Sequence, residues 1–222
     1  MSFLIRVVLP DRPGALGAVA TALGQAGADI LSVDIVDRAG GHATDDLVVE
    51  LPSDRLPDSL VTAAASVPDV RVESIRPYAG VIDPFRELQL LEQLAANPTQ
   101  AHPALAEGVC RLFRAGWVLI LAAPIGGESP VLAGSLAAPE VDRLVTPWWP
   151  PIPARTLAAD DSWAPADWAN LDTELAVVPL GKDALLVGRP ALRWLASELI
   201  RMSHLASIAA TVLDGSPPTL LA

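Results

Sequence analysis

The stretch Leu9-Pro10-Asp11-Arg12-Pro13-Gly14-Ala15-Leu16 changes the period of the chain within a few residues. Before it, Phe3 to Leu9 is apolar and β-branched, the pattern of a strand buried in a sheet. After it, Leu16, Val19, Ala20 and Leu23 recur at i, i+3, i+4 and i+7, one face of a helix. A Pro-Gly pair between two such segments forces a tight strand-to-helix corner. Pro13 is expected in the first helical turn, where its missing N–H costs nothing, and the other first-turn amides would face outward.

The next elements read in order. Gly24 and Gly27 are expected to close the helix. Ile30 to Val36 alternates as a strand, Gly40-Gly41 signals a hairpin, and Ala43 to Leu51 returns. Leu60, Val61 and Ala64 predict a short helix after Pro57, and Val70 to Arg76 alternates as a closing strand. Strand, helix, strand, strand, helix, strand is the split βαβ, ferredoxin-like arrangement. Its two helices cover one face of the sheet, so the other face needs a different cover.

Pro77 to Pro84 is rich in Pro, Gly and Asp and reads as a boundary between domains at 1–78 and 85–222. Helices are expected over 85–96 and 104–114, and Trp117–Ala123 and Val131–Leu136 form a strand pair around Gly126-Gly127. A second hairpin joins Thr173–Leu180 to Ala184–Gly188. The last helix, about 191–213, carries Leu195, Leu199, Met202, Ala206, Ala209 and Leu213 as a seam that packs within its own domain. The fold class is α+β, the second domain being an antiparallel sheet flanked by helices. Between the hairpins, 138–171 has little periodicity but holds Trp148, Trp149, Trp163 and Trp168. Such rings either line an apolar pocket or pin an irregular loop to the core, and the second is expected.

Composition removes several classes of function. A net charge of −11 disfavours nucleic acid and anionic membrane surfaces. One cysteine, Cys110, allows no internal disulfide and is expected to be a buried structural thiol. His42, His102 and His204 are scattered, so no metal is expected, and Asp160, Asp161 and Asp167 lack the spacing of a calcium loop. No nucleotide or nucleophile motif is present, so neither a cofactor nor catalysis is expected. With no leader pattern and no run of about 18 apolar residues, a cytoplasmic location is expected.

The corner also carries a resemblance. Asp11-Arg12-Pro13-Gly14-Ala15-Leu16, followed by Val19, Leu23, Gly27 and Asp29-Ile30, resembles the signature of ACT domains over about residues 1–78. That resemblance implies a non-catalytic regulatory module binding a small-molecule ligand, usually an amino acid, at the interface of a homodimer. It implies ligand contacts from the loop before Arg-Pro-Gly and from the residue before the second strand. Here these are Asp11 and Asp29, with Arg12, Pro13, Gly14, Ala15, Leu16 and Ile30 around them.

The chemistry agrees in outline: helix N-terminal amides suit a carboxylate, and the aspartates could receive an ammonium. The alternative is that Asp11 and Asp29 only cap turns and that Gly14 only permits close packing. Family members often carry a polar residue two before the Asp11 position and Asn at the Asp29 position; Leu9 and Asp29 leave the ligand's identity open. The element order of 85–222 is similar to GAF or PAS-like sensor domains, with no motif to quote. Two other readings stand beside the sensor: an assembly module whose first domain only dimerises, and an enzyme in 85–222 regulated by the first domain.

Overall fold

The computed structural model describes residues 1–78, 85–158 and 162–215. The chain divides into two compact units, Met1–Asp83 and Pro84–Ala222.

In the first unit the elements are β1 (Ser2–Pro10), α1 (Ala15–Gln25), β2 (Asp29–Ala39), β3 (His42–Glu50), α2 (Asp58–Ala65) and β4 (Arg71–Pro77). The strands form one antiparallel sheet in the order β2-β3-β1-β4. Alternation along β1 sends Phe3, Ile5, Val7 and Leu9 into a core with Val19 and Leu23 of α1 and Leu60 and Ala64 of α2. Each such side chain removed from water contributes about 1.5–3 kcal/mol, so this period-2 stripe sets the register. The opposite face carries Leu4, Arg6, Val8, Thr44, Asp46 and Val48, and all of them are buried.

Strand β2 departs from simple alternation. Register shifts at Ile30/Ser32 and Ile35/Asp37 insert bulges. Ile30 pairs with core-facing Val49, and Val33 and Ile35 pair with Leu47 and Asp45 on that same side. Ile30, Val33 and Ile35 thus share the helix side of the sheet, although odd and even positions were expected to separate them. Because β2 is an edge, Leu31, Val33 and Ile35 stay 40–47% exposed.

The second unit contains α3 (Arg86–Ala96), α4 (Ala101–Phe113), β5 (Trp117–Leu121), β6 (Glu128–Gly134), β7 (Arg143–Val145), β8 (Arg155–Leu157), β9 (Glu174–Leu180), β10 (Asp183–Arg189) and α5 (Ala196–Leu213). Its sheet has six antiparallel strands in the order β7-β6-β5-β10-β9-β8. The stretch expected to be irregular supplies both edges, β7 and β8, and a 3-10 segment at Ala166–Asp172. Three-residue edge strands show no readable period, which is why they were missed.

Alternate residues of β5, β9 and β10 face two separate cores. Val118, Ile120, Val178, Leu185 and Val187 pack on α3, α4 and α5, while Leu119, Leu121, Leu175, Val177 and Leu186 meet the tryptophans. Helix α5 begins at Ala196 rather than near 191, and its seam residues Met202, Ala206 and Ala209 are buried in their own unit. Its start is fixed by Arg189, whose Nη1 and Nη2 donate to Glu198 Oε1 and Oε2 at 2.9 and 2.7 Å. Glu198 also accepts the Leu195 N–H at 3.0 Å, one half of a capping box.

Candidate ligand site

The corner is built from backbone hydrogen bonds. β1 ends with Pro10 opposite His42, and the Asp11 N–H donates to the Gly41 carbonyl at 2.9 Å. That bond ties the loop to the β2–β3 hairpin, whose Gly40 and Gly41 both have positive φ. The Ala15 N–H then donates to the Arg12 carbonyl at 3.2 Å, and Gly14 enters the helix at φ +88°. No atom lies within 4 Å of a Cβ built on Gly14, so glycine is required there by backbone conformation, not by crowding. Helix α1 starts at Ala15, so Pro13 precedes the first helical turn instead of belonging to it. The left-handed residue at 14 takes the position that Pro13 was expected to prepare.

Asp11, Arg12, Pro13 and Gly14 are exposed, Ala15 is buried, and Leu16 is half-buried against the core. Leu16 and Gly17 present first-turn amides, which helix geometry leaves without intrahelical acceptors. The Asp11 side chain faces Arg38 at 3.8 Å and Arg12 faces Asp69 at 3.9 Å, both loose and exposed pairs. Asp11 does not cap α1 through its side chain.

Asp29 lies elsewhere. It is the exposed first residue of β2, opposite Glu50, whereas Asp11 sits at the Gly41 end of the same hairpin. The length of β3 separates them, about 27 Å at the usual strand rise. A single protomer therefore does not bring these two aspartates together. Ile30, next to Asp29, is half-buried against the core.

One residue of this region went unnoticed in the sequence: Asp45. In register with Val7 and Ile35, it occupies a core-facing position of β3 between Ala43 and Leu47. It is 2% exposed and its Oδ1 has no hydrogen-bond partner among the described residues. Burial pushes its carboxyl above the ordinary range; Asp46, Asp11 and Asp34 push in the same direction, and Arg38 opposes them. The readable signal is phase: strict alternation from Ala43 through Leu47 and Val49 puts Asp45 inside.

In the second unit the tryptophans pack on the sheet face opposite the helices. Trp117 and Trp168 have ring centroids 4.9 Å apart, Trp148 and Trp163 5.9 Å, and Trp163 and Trp168 6.4 Å. Rings at these separations touch one another and enclose no ligand-sized space between them. They pin the long loop to the core. Cys110 is half-buried on α4, and burial raises its thiol pKa. Asp160 and Asp161 lie outside the described residues, and Asp167 is exposed in the 3-10 segment. Among the described residues no group of three or more His, Cys, Asp or Glu side chains could hold a metal ion, and no helix is long and apolar enough to cross a membrane. A shallow groove of about 390 Å³ runs along α3 and α5, lined by Leu91, Ile200, Leu205 and Ile208 beneath the Glu87–Arg201 ion pair.

Comparison with known proteins follows this geometry. No curated protein matches the chain at a significant level. Similar solved structures include the GAF domain of a phosphoenolpyruvate-protein phosphotransferase from Coxiella burnetii, at 14% identity and a TM-score of 0.44 over 59% of this chain and 94% of that one. The GAF-B domain of DevS from Mycobacterium smegmatis is 17% identical, with a TM-score of 0.43 over 53% of this chain and 93% of that one. Free methionine-R-sulfoxide reductase from Neisseria meningitidis is 13% identical, with a TM-score of 0.47 over 64% of this chain and 96% of that one. The family model that matches is that of the ACT domain, over residues 3–69, which lie within the first unit.

Proposed function

We propose that this protein is a non-catalytic regulatory sensor that binds an amino acid through its ACT domain, at an interface between two copies of the chain. ACT domains are typically regulatory modules that sense small molecules. The observation that carries the reading is the corner: Gly14 at φ +88° opens the first turn of α1 to solvent beside an exposed carboxylate, Asp11. Amides at a helix start favour an anion, and a neighbouring carboxylate favours a cation. An α-amino acid offers both charges.

The homodimer is supported by the β2 edge. Leu31, Val33 and Ile35 are exposed on a strand that forms the edge of its sheet among the described residues. Such an edge is a template for pairing with another chain. Antiparallel pairing of β2 with its copy sets Asp29 of one protomer against the Ala39 end of the other, beside the partner's Asp11. The two aspartates that one chain keeps apart would then meet across the interface.

The test is a thermal-shift screen of the twenty amino acids on the full chain. At 100 times its Kd a ligand stabilises by about 2.7 kcal/mol. A rise for one chemical group of amino acids supports the reading, and no rise for any of them overturns it.

A further inference from the structure

We propose that Asp45 is the carboxylate that receives the ligand's cationic group, so that the site selects molecules carrying an ammonium or guanidinium. This rests on the reading of the first unit as a ligand-binding ACT domain and names the residue that would hold the ammonium.

Three observations converge on Asp45. It stands where the β3 pattern requires an apolar side chain, in phase with Ala43 and Leu47, and is only 2% exposed. Its Oδ1 has no partner among the described residues. The adjacent carboxylate shows what a satisfied one looks like in this sheet: Asp46 Oδ1 and Oδ2 accept from Arg6 Nε and Nη2 at 2.9 and 2.8 Å. A buried carboxylate without such a partner is costly, and an incoming cation with N–H donors removes the cost.

Its position fits the corner. Asp45 is three residues along β3 from His42, the partner of Pro10, or about 10 Å from where the loop begins. Across the strand on the edge side lies half-exposed Ile35, so the buried oxygen is close to the open margin of the sheet. The charged groups that bear on it are Arg38 and Asp34 of β2, Asp46 of β3 and Asp11 of the loop. Helix α1, which overlies this side, contains no ionisable residue. Arg38 is itself turned toward Asp11 at 3.8 Å. Carboxylates outnumber cations among these groups, so a bound ammonium would offset part of the excess.

Two measurements on the full chain test the assignment. In the first, each amino acid found in the screen is titrated calorimetrically into wild type, Asp45→Asn and Asp29→Asn. A charge-assisted hydrogen bond predicts at least about tenfold weaker binding for Asp45→Asn, with Asp29→Asn less affected, and loss of binding for the N-acetylated amino acid. Wild-type affinity in Asp45→Asn overturns the proposal while leaving the sensor reading intact. The second measurement needs no amino acid: the Asp45 side-chain ¹³C carboxyl resonance is followed while n-butylammonium chloride is added, against sodium chloride at equal ionic strength. A saturable shift with butylammonium alone supports the assignment even if the amino-acid screen is negative. No shift, or equal shifts with both salts, overturns it.

Discussion

Asp45 and Asp46 are neighbours on β3 and face opposite sides of the sheet, one without a hydrogen-bond partner for Oδ1 among the described residues and the other accepting from Nε and Nη2 of Arg6. Both are buried, at 2% and 3% exposure. Of these two carboxylates, one has an oxygen without a hydrogen-bond partner among the described residues and the other is paired, and the two should answer mutation in opposite ways.

Asp45→Asn should stabilise the empty protein at neutral pH. The folded-state pKa of Asp45 lies above the unfolded value near 3.8. The folded state therefore holds this proton to higher pH than the unfolded chain does. Its contribution is most favourable below the unfolded pKa and is lost as pH rises through the raised folded pKa. Replacing the acid by its neutral isostere should remove that loss and gain about 1 kcal/mol at pH 7. Melting temperatures of both proteins from pH 4 to 8 check it: the gap should widen with pH, and a gap that narrows contradicts the account.

Asp46→Asn should do the reverse. It removes the carboxylate that Arg6, 1% exposed, meets at 2.8 Å in the sheet. Breaking one partner of a buried pair costs about 3–5 kcal/mol, whereas replacing both by apolar residues of similar volume is often close to neutral. Asp46→Asn should thus be poorly folded in the first unit, and Arg6→Met with Asp46→Leu should recover most of the loss. Hydrogen exchange at β1 and β3 amides reports it. Equal destabilisation by the single and double variants would argue against the pair as the cause.

How much of this could be read from the chain depends on period. The corner was legible because Pro13-Gly14 stands between a period of two and a period of 3.6, though the left-handed entry at Gly14 rather than Pro13 was not. Leu31 forms a bulge that no composition rule marks, and it moves Ile30 onto the face of Val33 and Ile35. Asp45 was passed over because an acidic pair on a hairpin strand reads as solvent-facing, although its phase with Ala43 and Leu47 placed it inside. The edges β7 and β8 are too short to show alternation at all.

Val33→Lys should abolish self-association while leaving the fold intact. Val33 is 43% exposed on the edge strand, so charge there opposes edge pairing at little cost to the protomer, within about 0.5 kcal/mol. Light scattering after size exclusion should show a dimer for wild type and a monomer for the variant. A monomeric wild type contradicts the edge interface, as does a dimeric variant.

Gly188→Ala should destabilise the second unit selectively. A Cβ at that position would fall 2.2 Å from Cε2 of the half-buried Trp117 ring, which would have to shift. Overpacking of this kind costs about 1–3 kcal/mol. Exchange protection should fall across β5 and β10 and stay unchanged in β1 and β3. A uniform fall across both units would contradict the independence of the two cores.

The central claim is that the first turn of α1 receives the ligand's carboxylate. Amide chemical shifts of the full chain, followed while a stabilising amino acid is added, test it most directly. The account predicts saturable shifts at Arg12, Gly14, Leu16 and Gly17, and their absence when the carboxamide of the same amino acid is used. Saturable shifts confined to the second unit, or equal shifts with the carboxamide, would contradict it.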